Sequence, residues 1–199
     1  MKNKQYLIAD ARKEQIINSA IEVLNENGYF STSLSKIAKK ANISTGLISY
    51  HFSSKEDLMN NTLLYLVQHE QAFIKDKVEI KETYLEKLKA FIEAGVAYRA
   101  TKRENTMALL EIAFNVRTPE NIPYFRVEMS PEDELNIFLE DILSKGQDSK
   151  EFKDFNTQVV AMIIRGAISL SMSLPQKTIL LSFEDYTEEV KENILKLVR

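Results

Sequence analysis

Residues 32–51 contain two short helical patterns separated by a three-residue break, and this stretch limits the possible folds most strongly. Thr32 or Ser33 can begin the first helix and Ser44 the second, because hydroxyl side chains cap the free amide groups at a helix start. Asn42-Ile43-Ser44 interrupts the pattern. The apolar residues expected to pack the two helices together are Ile37, Ala38, Ala41, Ile43, Leu47 and Ile48. The spacing predicts a helix-turn-helix.

The rest of the chain shows helical periodicity almost throughout. Asn27-Gly28 ends the helix that precedes the motif, and Gly28 suits a left-handed cap. Ser53 with Glu56 forms a predicted capping box. The stretch 178–183 is apolar enough to be extended, but a single strand has no pairing partner. The fold class is predicted as all-α, with further helices at 10–27, 54–76, 81–100, 104–116, 131–146, 155–173 and 185–198.

Composition excludes several classes of site. The chain has 199 residues and no cysteine, so disulfides and cysteine-based zinc sites are absent. His51 and His69 are its two histidines, and neither has a second ligand at metal spacing, so no metal and no cofactor are expected. The longest apolar run, 159–164, is far shorter than the ~20 residues of a membrane helix. We expect a cytoplasmic protein that is not an enzyme.

Positive charge is concentrated at the start of the chain, although the formal net charge is −3. Residues 1–55 contain eight lysines and arginines and four acids, which gives 8 − 4 = +4. The remainder therefore carries −3 − 4 = −7. Binding to a polyanion depends on the local field. A basic head on an acidic body is compatible with a DNA-binding protein.

Several motifs around the helix-turn-helix resemble a known family. They are Gly28 with the following Thr32-Ser33, then Ile37-Ala38, Ala41-Asn42-Ile43-Ser44, Gly46, Tyr50-His51-Phe52, Lys55 and Leu58. Over roughly residues 10–65 the chain resembles the N-terminal domain of TetR-type (TetR/AcrR-like) transcriptional regulators.

That resemblance implies a division into two domains. Residues 1–53 would form a three-helix DNA-binding domain, with the motif at 32–51, and residues 54–199 a helical ligand-binding and dimerisation domain. It implies a homodimer on double-stranded DNA with a near-palindromic operator. Repression is the family default, and the effector that would relieve it is expected to be small and apolar.

The predicted DNA-binding residues combine this resemblance with the chemistry of the side chains. Thr45 and Ser49 are the candidates for base readout, and Tyr50, His51 and Lys55 those for the backbone. Ser49 departs from the family, in which many members carry a larger or aromatic residue. The full predicted set is Ser33, Lys36, Ser44, Thr45, Gly46, Ser49, Tyr50, His51 and Lys55.

Helix 155–173 is apolar nearly all round, so it must be buried on more than one side. It is either an ordinary core helix or, with 131–146, a dimer interface in a four-helix bundle. The family resemblance favours the interface. The predicted interface residues are Phe138, Ile142, Val160, Ile163, Ile164 and Ala167.

The middle of the chain is rich in aromatic residues and methionine. Most of these residues are expected in the core, but some can line an apolar ligand cavity. The candidates are Tyr98, Met107, Glu111, Phe114 and Phe125. Two other functional classes stay open: an all-helical module whose basic head binds a protein or an anionic surface, and an enzyme using the helical cavity, which lacks any recognisable acid–base pair.

Overall fold

The computed structural model describes residues 2–118, 121, 122, 124, 134–171 and 182–199, with side chains from residue 9 onward. This part of the chain contains nine helices, which confirms the all-α prediction. They are α1 (Lys2–Ser31), α2 (Leu34–Lys40), α3 (Thr45–His51), α4 (Lys55–Val78), α5 (Tyr84–Thr101), α6 (Arg103–Asn115), α7 (Glu134–Asp148), α8 (Thr157–Leu170) and α9 (Phe183–Val198).

The chain divides into two compact units. The first consists of Met1–Gln68 with Glu104–Glu128, and the second of His69–Arg103 with Met129–Arg199. The first unit therefore holds α1 to α3, the beginning of α4, and α6. The domain boundary expected after residue 53 stays a prediction, but the first compact unit continues beyond it.

The core of the first unit forms because α1 repeats apolar residues at three-and-four spacing. Ile16, Ala20 and Leu24 are almost completely buried, and Ile37 of α2 and Ile48 of α3 are fully buried in the same cluster. Burying one large aliphatic side chain stabilises a fold by about 1.5–3 kcal/mol. The two short helices are therefore held by their apolar faces on α1.

Gly28 interrupts the helical geometry of α1, with φ 71° and ψ 169°. A positive φ is readily adopted by glycine because it has no Cβ. The Thr32 hydroxyl donates to the Gly28 carbonyl at 2.7 Å, and the next amide, of Tyr29, donates to Glu111 Oε2 at 2.9 Å. The left-handed geometry predicted for Gly28 is confirmed, and contacts within the first unit hold it.

Serine side chains cap the starts of the two motif helices. Ser33 Oγ accepts from the Lys36 amide at 3.3 Å, which decides between the two predicted caps. Ser44 Oγ accepts from the Leu47 amide at 3.2 Å, as predicted.

The capping box predicted for α4 is wrong by one residue. Ser54 Oγ accepts from the Asp57 amide at 3.1 Å, and the Asp57 carboxylate accepts from the Ser53 amide at 2.7 Å. Adjacent serines followed by adjacent acids fit the motif in either register, so the sequence pattern did not discriminate between them.

The second unit packs α5, α7, α8 and α9 around a separate apolar core. Phe91, Leu139 and Ile164 are fully buried there. A Cβ atom built on Gly146 would clash with the Phe152 ring. The glycine therefore lets α7 meet that ring closely.

The stretch 178–183, apolar enough to be extended but without a strand partner in the sequence, lies mostly outside the described residues. Of its last two positions, Ser182 has an extended backbone (φ −70°, ψ 167°) and caps α9, whereas Phe183 is the first residue of that helix.

Candidate nucleic-acid interface

A compact turn joins α2 to α3. The Ala41 amide donates to the Ile37 carbonyl at 2.8 Å, and the Ile43 amide donates to the Ala38 carbonyl at 3.0 Å. Asn42 between them has φ 54°, a left-handed conformation that asparagine tolerates better than most residues. These bonds satisfy the end of α2 and fix the direction of α3.

The outer side of α3 is polar and open. Thr45, Gly46, Ser49 and Tyr50 are exposed, with 80% of Tyr50 accessible, whereas Ile48 on the opposite side is fully buried. Hydroxyl groups can donate to phosphates or bond with base edges. The structure therefore brings four of the predicted DNA-binding residues together on one exposed surface.

His51 ends α3 and is half-buried, with its ring edge-on to Tyr50 at 5.0 Å between centroids. Burial lowers the pKa of His51, and the positive charges of Lys13 and Arg12 lower it further. The ring is therefore neutral at pH 7, able to donate one hydrogen bond from one nitrogen and accept one at the other.

Lys36, predicted to contact phosphate, is exposed on α2. Its ammonium donates to the Ser31 carbonyl at 2.7 Å and to Asn27 Oδ1 at 3.2 Å. An ammonium has three donors, so one remains for a phosphate oxygen.

Lys55 is less accessible than the other predicted cations of the motif. Its ammonium donates to the Tyr29 carbonyl at 2.7 Å and lies 4.2 Å from the centre of the Tyr29 ring. Burial lowers the pKa of Lys55, an effect that Glu56 partly offsets. In this structure Lys55 holds the last turn of α1. Its contact with DNA stays a prediction.

Sequence reasoning gave no role to Arg12, Lys13 and Gln15. Gln15 Nε2 donates to the Ala41 carbonyl at 2.9 Å, so this part of α1 lies beside the turn of the motif. The sequence indicated a role for Arg12 and Lys13 only through their positive charge, which contributes to the basic head. Their placement beside α3 depends on packing between segments about 40 residues apart.

The predicted ligand residues are divided between the two compact units. Tyr98 is buried in the second unit, whereas Met107, Glu111 and Phe114 lie on α6 in the first. Met107 and Phe114 are exposed, and Glu111 holds the Tyr29 amide. Phe125 lies outside the described residues. Ligand binding by this set stays a prediction.

The second unit has an open groove of about 270 Å³ between the end of α4 and α5. Its lining includes the apolar Phe73, Ile80 and Ala94 and the charged Lys77, Lys81 and Glu93. None of the predicted ligand residues lines it, although the Tyr98 ring packs edge-on against Phe73 at 5.5 Å.

The predicted interface residues differ in exposure. Ile142, Val160 and Ile164 are buried in the core of their own unit, so their side chains are not at the surface. Phe138 and Ala167 are half-buried, and Ile163 is 47% exposed. Four apolar residues on one face of α8 are exposed: Val159, Met162, Ile163 and Leu170.

Two further classes of site were searched for in the described part of the chain. No group of three or more histidine, cysteine or acidic side chains there is arranged to hold a metal ion. Nor does any helix in that part combine the length and the apolar character needed to cross a membrane.

Comparison with known proteins shows that this region is similar to a family of bacterial regulators. Residues 16–62 match the model of the bacterial regulatory proteins of the tetR family. The HTH-type transcriptional regulator BetI of Yersinia pestis is 38% identical over 58 residues, 29% of each chain. The fatty acid metabolism regulator protein of Bacillus subtilis is 38% identical over 72 residues, 34% of this chain and 37% of that protein. The match thus spans about a third of these relatives.

Similarity of fold extends over nearly the whole chain. The transcriptional regulator FadR from Bacillus subtilis, solved in complex with stearoyl-CoA, superposes with a TM-score of 0.74 at 23% identity, covering 94% of this chain and 99% of that one. Residues 16–62 are therefore similar to the tetR family of regulators, as the sequence predicted, and the chain shares the fold of this solved regulator.

Proposed function

We propose that this protein is a DNA-binding transcriptional regulator that acts as a homodimer on a near-palindromic operator. The observation that carries the proposal is the exposed polar side of α3, held by the buried Ile48 beneath it. A helix with this division of its faces fits the major groove of DNA, which is about 12 Å wide. The tetR-family match over residues 16–62 supports it.

The side chains of this surface suit two tasks. Thr45 and Ser49 would contact base edges, and the absence of a side chain at Gly46 would let the backbone approach the groove. Tyr50, His51 and Lys36 would contact the sugar–phosphate backbone, which positions a protein without reading sequence. The remaining predicted contacts are Ser33, Ser44 and Lys55.

The dimer would form through the exposed apolar side of α8. Val159, Met162, Ile163 and Leu170 recur at helical spacing, and a Cβ on Gly166 between them would meet no atom within 4 Å. Contiguous exposed apolar surface marks interaction sites. In a dimer that binds a palindromic site, two copies of α3 in successive major grooves would stand about 34–36 Å apart.

The effector proposed is an acyl thioester of coenzyme A, which combines an apolar chain with an anionic nucleotide. FadR from Bacillus subtilis is described with stearoyl-CoA, and a matched relative is named for fatty acid metabolism. The groove with Phe73 and Ile80 beside Lys77 and Lys81 has this mixed character. Its volume of about 270 Å³ holds only part of such a ligand.

A binding assay on DNA from upstream of the protein's own gene tests the proposal. We expect affinity to fall steeply between 50 and 200 mM salt, since each neutralised phosphate contributes about 0.9 to the logarithmic slope. Light scattering on the complex should give two chains per duplex. A flat salt response would argue instead for the basic head as a protein-binding surface. Stearoyl-CoA should release the DNA, whereas free coenzyme A is the matched control.

A further inference from the structure

The described start of α1 lies against the helix-turn-helix. Ile16 and Ile17 are buried, which fixes the rotation of α1. Gln15 then donates to the Ala41 carbonyl at 2.9 Å, and Arg12 Nη1 donates to Gln15 Oε1 at 2.5 Å. A chain of two hydrogen bonds therefore connects the Arg12 guanidinium to the turn that precedes α3.

Lys13 and Arg12 carry positive charge that no carboxylate within the described residues pairs at ion-pair distance. Lys13 is exposed and Arg12 half-buried. Of the acids nearby on α1, Glu14 accepts from the Tyr65 hydroxyl at 3.2 Å, and Asp10 is exposed. Lys40 of α2 shows the contrast, because its ammonium lies 2.7 Å from Glu26 and 3.0 Å from Glu22.

The field of these two cations reaches the end of α3. Their charges are close enough to His51 to disfavour its protonation. Neither cation has a carboxylate partner among the described residues, and a polyanion would supply the missing counter-charge. DNA phosphates are such a partner, and they would lie beside Tyr50 and His51 if α3 enters the major groove.

We propose that Arg12 and Lys13 form a second phosphate-binding element of the DNA interface, beside the end of α3. This inference rests on the proposed function. Both residues precede the segment 16–62 that matches the family model, so neither role follows from that match. Arg12 keeps four guanidinium donors beyond the one given to Gln15, which suffices for a bidentate contact with a phosphate.

The pair would add affinity without adding sequence preference. Phosphate contacts position a protein on the duplex and are largely independent of sequence. The proposed dimer carries the pair twice, so the variant loses four such contacts, which should lower the logarithmic salt slope by about 3.6. Between 50 and 200 mM salt, the wild type should thus lose roughly 150-fold more affinity than a variant without the pair.

The test compares the double variant Arg12→Ala/Lys13→Ala with the wild type by fluorescence anisotropy. Two probes serve: a duplex from upstream of the protein's own gene, and an unrelated duplex of equal length at low salt. We expect weaker binding to both duplexes and the shallower slope. Lys40→Ala removes one cation from the same unit and matches Lys13→Ala in charge, yet it should leave the slope unchanged.

Two results separate the possible failures. A wild type with a steep salt response and a double variant with the same slope would overturn this inference and leave the proposed function standing. A wild type that binds neither duplex in a salt-dependent way would overturn both. Arg12→Lys/Lys13→Arg keeps both charges and should keep the slope, and Lys13→Ala alone, at an exposed position, guards against a folding defect in the double variant.

Discussion

The exposed sides of α3 and α8 offer different chemistry, although each lies opposite a fully buried isoleucine. Beneath α3 is Ile48 and beneath α8 is Ile164. The outer side of α3 presents hydroxyl groups and exposed backbone atoms, and water solvates both well. α8 turns out large apolar side chains, including Met162 at 68% exposure. Covering the apolar side with another apolar surface lowers the free energy. The polar side is stabilised instead by exchanging hydrogen bonds with water for hydrogen bonds with a partner.

This contrast indicates two kinds of partner for one chain. A polar helix side with a rigid turn before it suits a polar ligand such as the edge of a base pair. An apolar helix side suits a second protein surface.

The largest effect is expected from a charge on the apolar side of α8. Met162→Lys places two like charges near one two-fold axis, because a symmetric interface contains each substitution twice. We expect monomers in light scattering. DNA affinity should fall by about 10²–10⁴-fold, since linked binding of two heads is lost. Asn193→Lys adds the same charge at an exposed position on α9 and is the matched control; equal effects of the two variants would contradict the interface.

A smaller loss is expected from the buried side of α3. Ile48→Ala removes a fully buried side chain and should lower the free energy of unfolding of the first unit by about 2–5 kcal/mol. Urea unfolding measures this loss. Ser49→Ala, the next residue and exposed, should stay within about 0.5 kcal/mol of the wild type. Equal losses of unfolding free energy in the two variants would contradict the burial of one side of α3 and the exposure of the other.

Tyr50→Phe removes one hydroxyl from the exposed side of α3. If that hydroxyl donates to a phosphate, affinity should fall by roughly 12- to 160-fold per contact on every sequence, since a hydrogen bond to a charged group contributes about 1.5–3 kcal/mol. Competition binding with a library of duplexes measures both affinity and preference. A change in the preferred sequence would assign Tyr50 to base readout instead.

Thr45→Ala and Ser49→Ala should act on preference more than on overall affinity. Loss of a single neutral hydrogen bond, worth about 0.5–1.5 kcal/mol, predicts a two- to twelvefold change at the contacted base pair. The same library measures it. An unchanged preferred sequence in both variants would show that other residues read the operator.

The smallest effect concerns His51, whose pKa is lowered by burial and by Lys13 and Arg12. Below the ordinary histidine value of about 6.5, the unfolded chain takes up this proton more readily than the folded one. The contribution to stability is therefore fully present above that value and is lost as the pH falls toward the folded pKa. Urea unfolding at pH 7.5 and 5.5 should show a steeper fall for the wild type than for His51→Gln; parallel changes would contradict it.

Local features of the first unit were largely predictable. The caps at Ser33 and Ser44 depend on bonds that span three residues, and the positive φ of Gly28 on the missing side chain of glycine itself, so these signals lie side by side in the sequence. The start of α4 was misjudged because Ser53 and Ser54 are followed by two acids at equivalent spacing. The contact of Lys55 with Tyr29 was not predictable, since 26 residues separate the two.

Long-range packing decided the remaining features. The pattern of α8 is apolar nearly all round, so periodicity predicted burial without showing which side its own unit covers. The core made by α5 and α7 covers Val160 and Ile164 and leaves Val159 and Met162 exposed. Aromatic composition likewise indicated a cavity, but it did not distinguish buried Tyr98 from exposed Phe114.

By itself the sequence determined the helical class, the helix-turn-helix with its caps, and the polar outer side of α3. Each follows from residue spacing within a few turns of helix. Only the tertiary structure decided that Arg12 and Lys13 lie beside His51, that Lys55 holds Tyr29, and which side of α8 stays uncovered. The physical reason is that burial and electrostatic fields depend on distance in space, and packing sets that distance between segments far apart in the chain.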